Sequence, residues 1–511
     1  MNDPLNRRTF LATTTMAAAS VAIGNLWRRA AASSRIPGHD EIIRMSVQEG
    51  LRALVSGRLT SLDYCEAALA QAERFRRYHV FSQVSAPDAR ARAQAVDEKR
   101  RQGAATGALE GVPYALKDSV DMVEYYTIAG HPALKTFRPT KDADLVTALR
   151  RADAVCIGKT QIPPLSMWWT TENAMTGDTG NPFNWAYKTG GSSGGSGAAV
   201  AARITPFAIA EDTAGSIRVP AALNGVIGLR PTTGRWPLAG AVPIGFSDTL
   251  GPIARTVADI RLLDTLLAVD GPRPESWQVR LGELRVGYQQ ADLLTGLHPW
   301  VEDNFESTRR VLASAGVRFV EITGIEAQAM TDTAMALLLA EFPDFMARYF
   351  NRHGVHDVSA LGLLHGLEED SVIRRMFLES VETAPTGEAR YPLVRKLLAL
   401  REAAEALIRD SRVDVLMYPT TKVPNTRNDG PGSMEQEGPL GRVLSELEIG
   451  ANMLFAPGMK APSIALFSGT DPDGLPLSVT FDAPSGADRR LLDVAEAIEK
   501  VLPPLAEPDG I

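Results

Sequence analysis

The middle of the chain alternates short apolar runs with segments of helical pattern, and this alternation limits the folds open to it. Apolar runs lie at 112–116, 154–157 and 207–210, and helical patterns lie at 144–151 and 198–203. Buried strands that alternate with helices build a sheet whose faces the helices cover. The pattern therefore predicts an α/β fold.

Further elements are predicted on both sides of this region. The predicted helices are 40–56 with Asp40 as its cap, 61–78 capped by Thr60 or Ser61, 87–102, 256–269 and 488–501. The predicted strands are 285–288, 317–322, 413–418, 463–467 and 477–481. Residues 326–410 are mostly helical in pattern, and 420–440 are rich in turn formers and predict a loop. Because no Gly/Ser or Pro linker divides the chain, a single large domain is expected.

The N-terminal segment has the order of features found in an export signal. Arg7 and Arg8 precede a weakly apolar stretch, and Ala30 and Ala32 fit the small-residue rule for cleavage. This order is typical of a twin-arginine signal, with a basic amphipathic helix as the alternative. The stretch is too short and too polar for a good membrane span. The order of features in residues 1–32 therefore predicts export to the periplasm or the medium, without stable membrane insertion after cleavage.

Composition and charge narrow the classes of partner. The formal net charge is −8 with acids and bases interspersed, so no basic patch indicates nucleic acid. Two cysteines do not make a disulfide framework, and Cys156 lies in an apolar run typical of a buried structural cysteine. His353, His356 and His365 lack a nearby cluster of carboxylates or cysteines and are expected at the surface of a helical region. No metal or cofactor is expected.

Three polar segments stand out. Lys117 ends the first apolar run, residues 190–197 are Gly-Gly-Ser-Ser-Gly-Gly-Ser-Gly, and residues 211–220 are Glu-Asp-Thr-Ala-Gly-Ser-Ile-Arg-Val-Pro. Glycine lets the backbone approach a ligand closely, and small residues at a turn into a helix expose consecutive N–H groups to an oxyanion. Ser216, at the end of such a turn, is well placed as a nucleophile, but its hydroxyl needs a base.

The identity of that base is the open question at this point. None of the seven histidines lies at an apolar strand end with an obvious carboxylate partner. A lysine in a low-dielectric pocket loses its proton more readily and can serve as a base, and Lys117 ends an apolar run. Taken alone, Lys117 fits a solvated strand-end lysine better.

The glycine-rich loop and the 211–220 segment together resemble the amidase-signature family. The resemblance continues through 157–160, 224–232, 251–259, 414–420 and 474–479. It is dense from about 109 to 270, moderate from about 412 to 495, and weak over 271–411, which is expected to be a variable helical insert region. The resemblance implies one amidase domain over 33–511, with a mixed central β-sheet covered by helices.

The family uses a triad of one lysine and two serines, and the matching positions here have the family's spacing. The resemblance implies Lys117 as base, Ser192 as proton relay after a cis peptide bond, and Ser216 as nucleophile. It implies that backbone N–H groups hold the oxyanion and that polar side chains fix the loops around it. The oxyanion residues are Thr213, Ala214, Gly215 and Ser216, and the loop-fixing residues are Ser193, Asp212 and Arg218.

The chain departs from the family pattern beside the triad. Ala214 replaces the usual glycine, so a slight change of the oxyanion loop is expected. Gln161, Pro163 and Pro164 replace the usual Asn and Pro-Glu pair. Both changes spare the triad and are expected to reshape the substrate pocket.

The substrate is indicated only by class. Segments 231–237, 242–244 and 248–252 resemble the branch that hydrolyses arylacetamides, such as indoleacetamide and mandelamide hydrolases. Trp168, Trp169 and Phe183 are candidates for an aromatic pocket, although core positions fit them equally, and Gly191 is a candidate for substrate contact. The expected activity is hydrolysis of a small-molecule amide to an acid and ammonia or an amine.

Several alternatives stay open. The same acyl-enzyme chemistry serves esters and carbamates. The A subunit of the tRNA-dependent amidotransferase resembles the same family, but its tRNA substrate is cytoplasmic, which conflicts with export. A binding protein on a retired amidase scaffold is disfavoured because all three triad residues are present. The match of Gly191, Ser193 and Gly195 to an α/β-hydrolase elbow lacks a convincing downstream histidine. A homodimer is left open.

Overall fold

The computed structural model describes residues 37–271, 278–428, 435–437, 443–505 and 507–508. Within these residues, eleven strands form one sheet in the order β1-β3-β2-β4-β6-β5-β12-β13-β9-β7-β8. The strands are β1 Phe81–Val84, β2 Pro113–Lys117, β3 Val155–Thr160, β4 Phe207–Asp212, β5 Ile227–Arg230, β6 Thr249–Ala254, β7 Arg285–Tyr288, β8 Arg318–Glu321, β9 Val415–Pro419, β12 Ser463–Thr470 and β13 Pro476–Asp482. A separate pair consists of β10 Glu435–Glu437 and β11 Val443–Ser445. The predicted α/β fold is confirmed, as a single domain with a mixed sheet.

The helices cover this sheet and extend beyond it. They are α1 His39–Arg44, α2 Val47–Val55, α3 Ser61–Arg74, α4 Ala86–Arg101, α5 Asp144–Arg151, α6 Gly194–Ala201, α7 Arg218–Leu223, α8 Val257–Leu267, α9 Pro299–Ser314, α10 Ala327–Arg352, α11 Ala360–His365, α12 Val372–Glu382, α13 Tyr391–Asp410, α14 Glu446–Gly450, α15 Phe455–Gly458 and α16 Asp488–Glu499. Among the described residues, no helix combines the length and apolar character needed to cross a bilayer.

Strand pairing at the centre of the sheet determines where the polar segments meet. Strand β2 lies between β3 and β4 and runs parallel to both. All residues of these three strands are buried, as expected for parallel strands covered on both faces. Because the carboxyl ends of parallel strands share one edge, the ends of β2 and β4 are neighbours. Lys117 and the 211–220 segment therefore lie side by side.

The predicted helix at 40–56 is two helices. It breaks at Met45, where φ is −61° and ψ is 134°. Ser46 caps α2 and forms a capping box with Glu49, so this local signal outweighs the continuous apolar stripe. The N-cap of α1 is Gly38 and not Asp40, whereas Thr60 caps α3 as predicted.

Five strands were not predicted, namely β1, β5, β6, β10 and β11. Strand β6 contains Gly251 and Pro252, and both residue types argue against a strand in sequence. A side chain at Gly251 would collide with the carbonyl oxygen of Leu229, so glycine is required by close packing between strands. Strand β10 lies within 420–440, so the prediction of a continuous loop there is wrong.

Part of the helical region 271–411 packs in a second apolar cluster that reaches the site. Leu339, Phe342 and Phe350 of α10 pack in one apolar cluster with Leu165 and Met167.

The two cysteines lie elsewhere and are buried and free. Burial raises the pKa of the Cys65 and Cys156 thiols to about 12, as expected for inert structural cysteines.

Candidate active site

Lys117 ends β2 and is completely buried. Its Nζ lies 2.7 Å from Ser192 Oγ, 2.9 Å from Glu211 Oε2 and 3.3 Å from the Glu211 carbonyl oxygen. The interpretation of Lys117 as a solvated strand-end lysine is therefore wrong. The structure places it against one of the two predicted serines.

Ser192 lies in the glycine-rich loop that leads into α6, and the peptide bond between Gly191 and Ser192 is cis. The glycines let this loop pack against another segment. A side chain at Gly194 would collide with Thr171 Oγ1, and one at Gly195 would lie 2.5 Å from the backbone nitrogen of Gln161. Small residues thus bring Ser192, which is fully buried, down to Lys117.

Ser216 lies between β4 and α7 and is the least buried of the three, at 5% exposure. The backbone N–H of Ser193 donates to the Ser216 carbonyl oxygen over 3.3 Å, which joins the two serine segments. Gly215 has a φ of +101°, and a β-carbon on it would collide with the side chain of Met453. Both the backbone angle and the contact require glycine there.

The loop that holds Ser216 has backbone N–H groups available to a ligand. Within the described residues, no acceptor is found for the N–H groups of Thr213, Ala214 and Ser216. The N–H of Gly215 instead donates to Asp212 Oδ1 over 2.8 Å, so it is engaged and does not match the expected oxyanion role. Ala214 is not among the residues with positive φ, so alanine fits this loop without strain.

Asp212 and Arg218 form the support beneath this loop. Asp212 also accepts from the N–H of Ile217, and Arg218 Nε donates to Asp212 Oδ2 over 3.1 Å. Burial opposes ionisation of Asp212, but Arg218 and Arg230 overcome it and hold the pKa of that carboxyl below its usual range. Arg218 Nη2 also donates to the Met453 carbonyl. Asp212 and Arg218 thus tie the loop to the protein interior.

Ser193 also lies behind the site. Its hydroxyl donates to the Glu211 carbonyl oxygen over 3.2 Å, and it is fully buried. The Ser193 hydroxyl is therefore engaged behind the site and is not placed as a nucleophile. Its match to the nucleophile elbow of α/β-hydrolases reflects only the small residues of the loop.

Two carboxyl groups close to Lys117 were not predicted from sequence. Glu211 contacts its Nζ, and Asp248 lies on the far side of Thr213. Burial, together with the charge of Glu211, raises the pKa of the Asp248 carboxyl to about 7. The sequence did contain a signal that could have identified Glu211. Two consecutive acids end a buried strand, and side chains alternate between the two faces of a strand. Asp212 therefore faces the arginines, and Glu211 faces Lys117.

A cavity opens onto Ser216. Its lining is almost wholly apolar and includes two tryptophans. The lining residues are Ser166, Met167, Trp168, Trp169, Thr213, Ala214, Ser216, Ile244, Met335, Leu338, Leu339 and Phe377. The Ser166 hydroxyl is buried and has no partner in the described part of the chain. The cavity holds about 50 Å³, less than the roughly 150 Å³ of an apolar cavity that binds benzene.

Trp169 is held at the loop by two contacts. Its Nε1 donates to the Ala214 carbonyl over 2.8 Å. A β-carbon at Gly450 would collide with the indole, so glycine makes room for this ring.

Two of the candidate pocket residues lie outside the cavity lining. Phe183 packs near Gly225 in a separate cluster, away from the cavity. Gly191 is not in the cavity lining, and its close neighbour is the backbone of Thr170, 2.6 Å from a β-carbon position.

His353 is buried and not at the surface, contrary to the sequence expectation. Its Nε2 lies 3.0 Å from Asp121 Oδ2, so it has the carboxylate partner that the sequence did not show. His356 and His365 are exposed, as predicted. Within the described ranges, no group of three potential metal ligands is found.

An α/β fold with a buried lysine against one serine, beside a second serine that faces a cavity, has the features of a serine hydrolase. The chain belongs to the Amidase family, whose model matches residues 63–492. It is an enzyme that hydrolyses C–N bonds of carboxylic amides.

The relatives include several kinds of amide-processing protein. Mandelamide hydrolase of Pseudomonas putida is 32% identical, over 87% of this chain and 89% of that protein. The A subunit of the glutamyl-tRNA(Gln) amidotransferase of Streptomyces avermitilis is 33% identical, over 90% and 95%. The X-ray structure of native peptide amidase from Stenotrophomonas maltophilia superposes with a TM-score of 0.76 at 29% identity, over 91% of this chain and 99% of that chain.

Proposed function

We propose that this amidase acts on amides with an apolar, aryl-bearing acyl group, with Ser216 as the nucleophile. The observation that carries the proposal is the apolar cavity that ends at Ser216. The similarity to mandelamide hydrolase supports an aryl acyl group.

In the proposed reaction, Ser216 Oγ forms a bond to the amide carbonyl carbon while its proton passes to Ser192. The proton of Ser192 passes in turn to neutral Lys117, 2.7 Å away. The leaving amine takes the relayed proton as the C–N bond breaks, and water then hydrolyses the acyl-enzyme. Among the described residues, the Ser216 hydroxyl has no hydrogen-bond partner. In the proposal, its hydrogen bond to Ser192 forms when substrate binds, because catalytic hydrogen bonds tighten in the substrate complex.

The oxyanion of the tetrahedral intermediate needs donors that are already oriented. The N–H groups of Thr213, Ala214 and Ser216 fill this role in the proposal, because they have no other acceptor among the described residues. Such donors are typically worth about a hundredfold to a thousandfold in rate each.

The lining of the cavity also bears on the amidotransferase alternative. Glutamine carries a charged amino group and a charged carboxylate, which require charged or strongly polar partners when buried. None of the lining residues, which all lie in the described part of the chain, is charged. This favours an apolar substrate, although the amidotransferase protein is as similar in sequence as mandelamide hydrolase.

A benzene ring exceeds the present volume of the cavity, so an aryl substrate requires lining side chains to move. Met167 and Met335 are unbranched and adapt at low cost. Phe377 lies against Trp168, with ring centroids 6.1 Å apart. Its ring therefore limits the size of the acyl group that enters.

We expect Phe377→Leu to raise kcat/KM for aryl amides relative to small aliphatic amides by about tenfold. The measurement is hydrolysis of a panel that includes acetamide, phenylacetamide and its α-hydroxy derivative, following both the acid and the amine. Phe183→Leu is the matched control, since Phe183 is equally half-buried but outside the cavity. A wild-type preference for acetamide, or equal effects of the two variants, would contradict the aryl proposal. Turnover of the purified chain without a partner disfavours the amidotransferase alternative.

We also propose export through residues 1–32, which lie outside the described residues. The paired arginines and the Ala30-x-Ala32 pattern support it, and the family match begins only at residue 63. Protein recovered from the periplasm is expected to begin after Ala32 on N-terminal sequencing. Recovery of all the protein from the cytoplasm with residues 1–32 intact would contradict this.

A further inference from the structure

Behind Lys117 lies a chain of buried polar groups that the triad does not include. Thr213 Oγ1 lies 2.5 Å from Glu211 Oε1 and 2.7 Å from Asp248 Oδ1. Glu211 Oε2 lies 2.9 Å from Lys117 Nζ. All four side chains are at most 2% exposed. The groups therefore form one continuous path from Ser192 through Lys117 to Asp248.

The contacts of Lys117 are those that a base requires. A neutral lysine has two N–H bonds and one lone pair. The carbonyl and carboxylate oxygens of Glu211 accept the two N–H groups. The remaining direction points to Ser192 Oγ at 2.7 Å. Glu211 thus turns the lone pair toward the hydroxyl from which Lys117 takes its proton.

The hydrogen bonds of Thr213 show where a further proton lies. A hydroxyl has one hydrogen, and ionised carboxylates only accept. Two short contacts to carboxyl oxygens therefore require that one carboxyl is protonated and donates to Thr213. Glu211 faces Lys117, so Asp248 is the protonated one. Its other oxygen accepts from the N–H groups of Ile244 and Gly245. The raised pKa of Asp248, about 7, agrees with this assignment.

Other buried charges surround this path. Asp212 pairs with Arg218 and Arg230, and Asp482 interacts with the same two arginines. Arg230 also interacts with Asp248, and Lys159 lies near Asp118 and Asp121. Because Glu211 and Asp248 both contact Thr213, a second ionised carboxyl there would repel the first. A protonated Asp248 beside an ionised Glu211 is therefore the less costly state.

We propose that Glu211 is the positioning residue that holds Lys117 as a base, and that Asp248 supports it as a neutral acid that donates to Thr213. The inference rests on the role of Lys117 in the proposed function. It adds no covalent step. Lys117 gains the proton of Ser192 and returns it to the leaving amine, while Glu211 stays ionised and keeps both contacts.

The test is the pH dependence of Ser216 phosphonylation by a fluorophosphonate probe, in which a P–O bond forms and fluoride leaves, and which needs no knowledge of the substrate. Wild type, Glu211→Gln and Asp248→Asn are compared from about pH 5 to about pH 10. Glutamine removes the charge that stabilises the ammonium form of Lys117. The acid limb of the profile, where the rate of labelling rises with pH, is therefore expected to move to lower pH by about 1–3 units. Asparagine donates an N–H in place of the acid O–H. Asp248→Asn is therefore expected to keep the wild-type rate of labelling below about pH 7, where the wild-type acid is protonated.

Each other outcome overturns a stated part. An unshifted limb in folded Glu211→Gln overturns the role of Glu211. An equal shift in Asp248→Asn overturns the neutral acid. If Glu211→Gln does not fold, infrared spectra decide, because the protonated-carboxyl band of wild type at about pH 6 should lose intensity in Asp248→Asn. Identical spectra overturn the proposal. Folded wild type that the probe does not label would overturn the proposed function itself, and this inference with it.

Discussion

Ser216→Ala is expected to lose amide hydrolysis by about four orders of magnitude or more. In the proposed reaction the Ser216 hydroxyl is the atom that forms the acyl-enzyme, so its removal leaves no nucleophile in that position. The fold should be unaffected, since the Ser216 hydroxyl has no hydrogen bond to lose among the described residues and the backbone contacts stay. Hydrolysis, fluorophosphonate labelling and thermal unfolding of the variant measure the three effects.

Ser193→Ala is the matched control for this prediction. Ser193 lies in the neighbouring loop, is also buried, and has a hydroxyl that donates to the Glu211 carbonyl. Its activity should stay within about tenfold of wild type. Loss of labelling in Ser193→Ala with retention in Ser216→Ala would mean that the nucleophile is wrongly assigned.

Lys117→Ala is expected to lose both activity and stability. Removal of the proposed base should lower hydrolysis about a thousandfold or more. Glu211 is left as a buried carboxylate without the two N–H donors of Lys117, because both side chains are at most 1% exposed. An unsatisfied buried acceptor costs about 1–3 kcal/mol of unfolding free energy, and a charged one costs more. Denaturant unfolding and hydrolysis of the best amide in the panel measure the two losses.

The double variant Lys117→Ala with Glu211→Gln separates these two losses. Glutamine replaces the carboxylate that has lost its donors with a neutral amide, so most of the stability should return, while activity stays low without the proposed base. Recovery of activity in the double variant, or an unchanged stability of Lys117→Ala, would show that the buried pair does not have the role given to it here.

Much of the fold could be predicted because it follows from local pattern. The apolar runs before Lys117 and around Cys156 are strands of nearly the predicted length, and β7 has the predicted bounds. The missed strands include those where tertiary contacts override local preference. Gly251 and Pro252 argue against a strand by themselves, yet packing against Leu229 requires glycine at the first position.

The site also combines what the sequence indicates with what only the fold decides. The resemblance to the amidase-signature family assigns Lys117, Ser192 and Ser216, whereas the residues alone indicated only Ser216 and favoured a solvated Lys117. The sequence alone also indicates the oxyanion loop after β4. Only the tertiary structure decides what these groups contact.

Two contacts show why the tertiary structure was needed. Whether Glu211 meets Lys117 depends on β2 and β4 being neighbours in the sheet. The cavity requires Met335 and Phe377, from helices more than a hundred residues away in the chain, to pack beside Ser216. A linear pattern holds no information on such distant contacts, since they follow from the order of strands and the docking of helices.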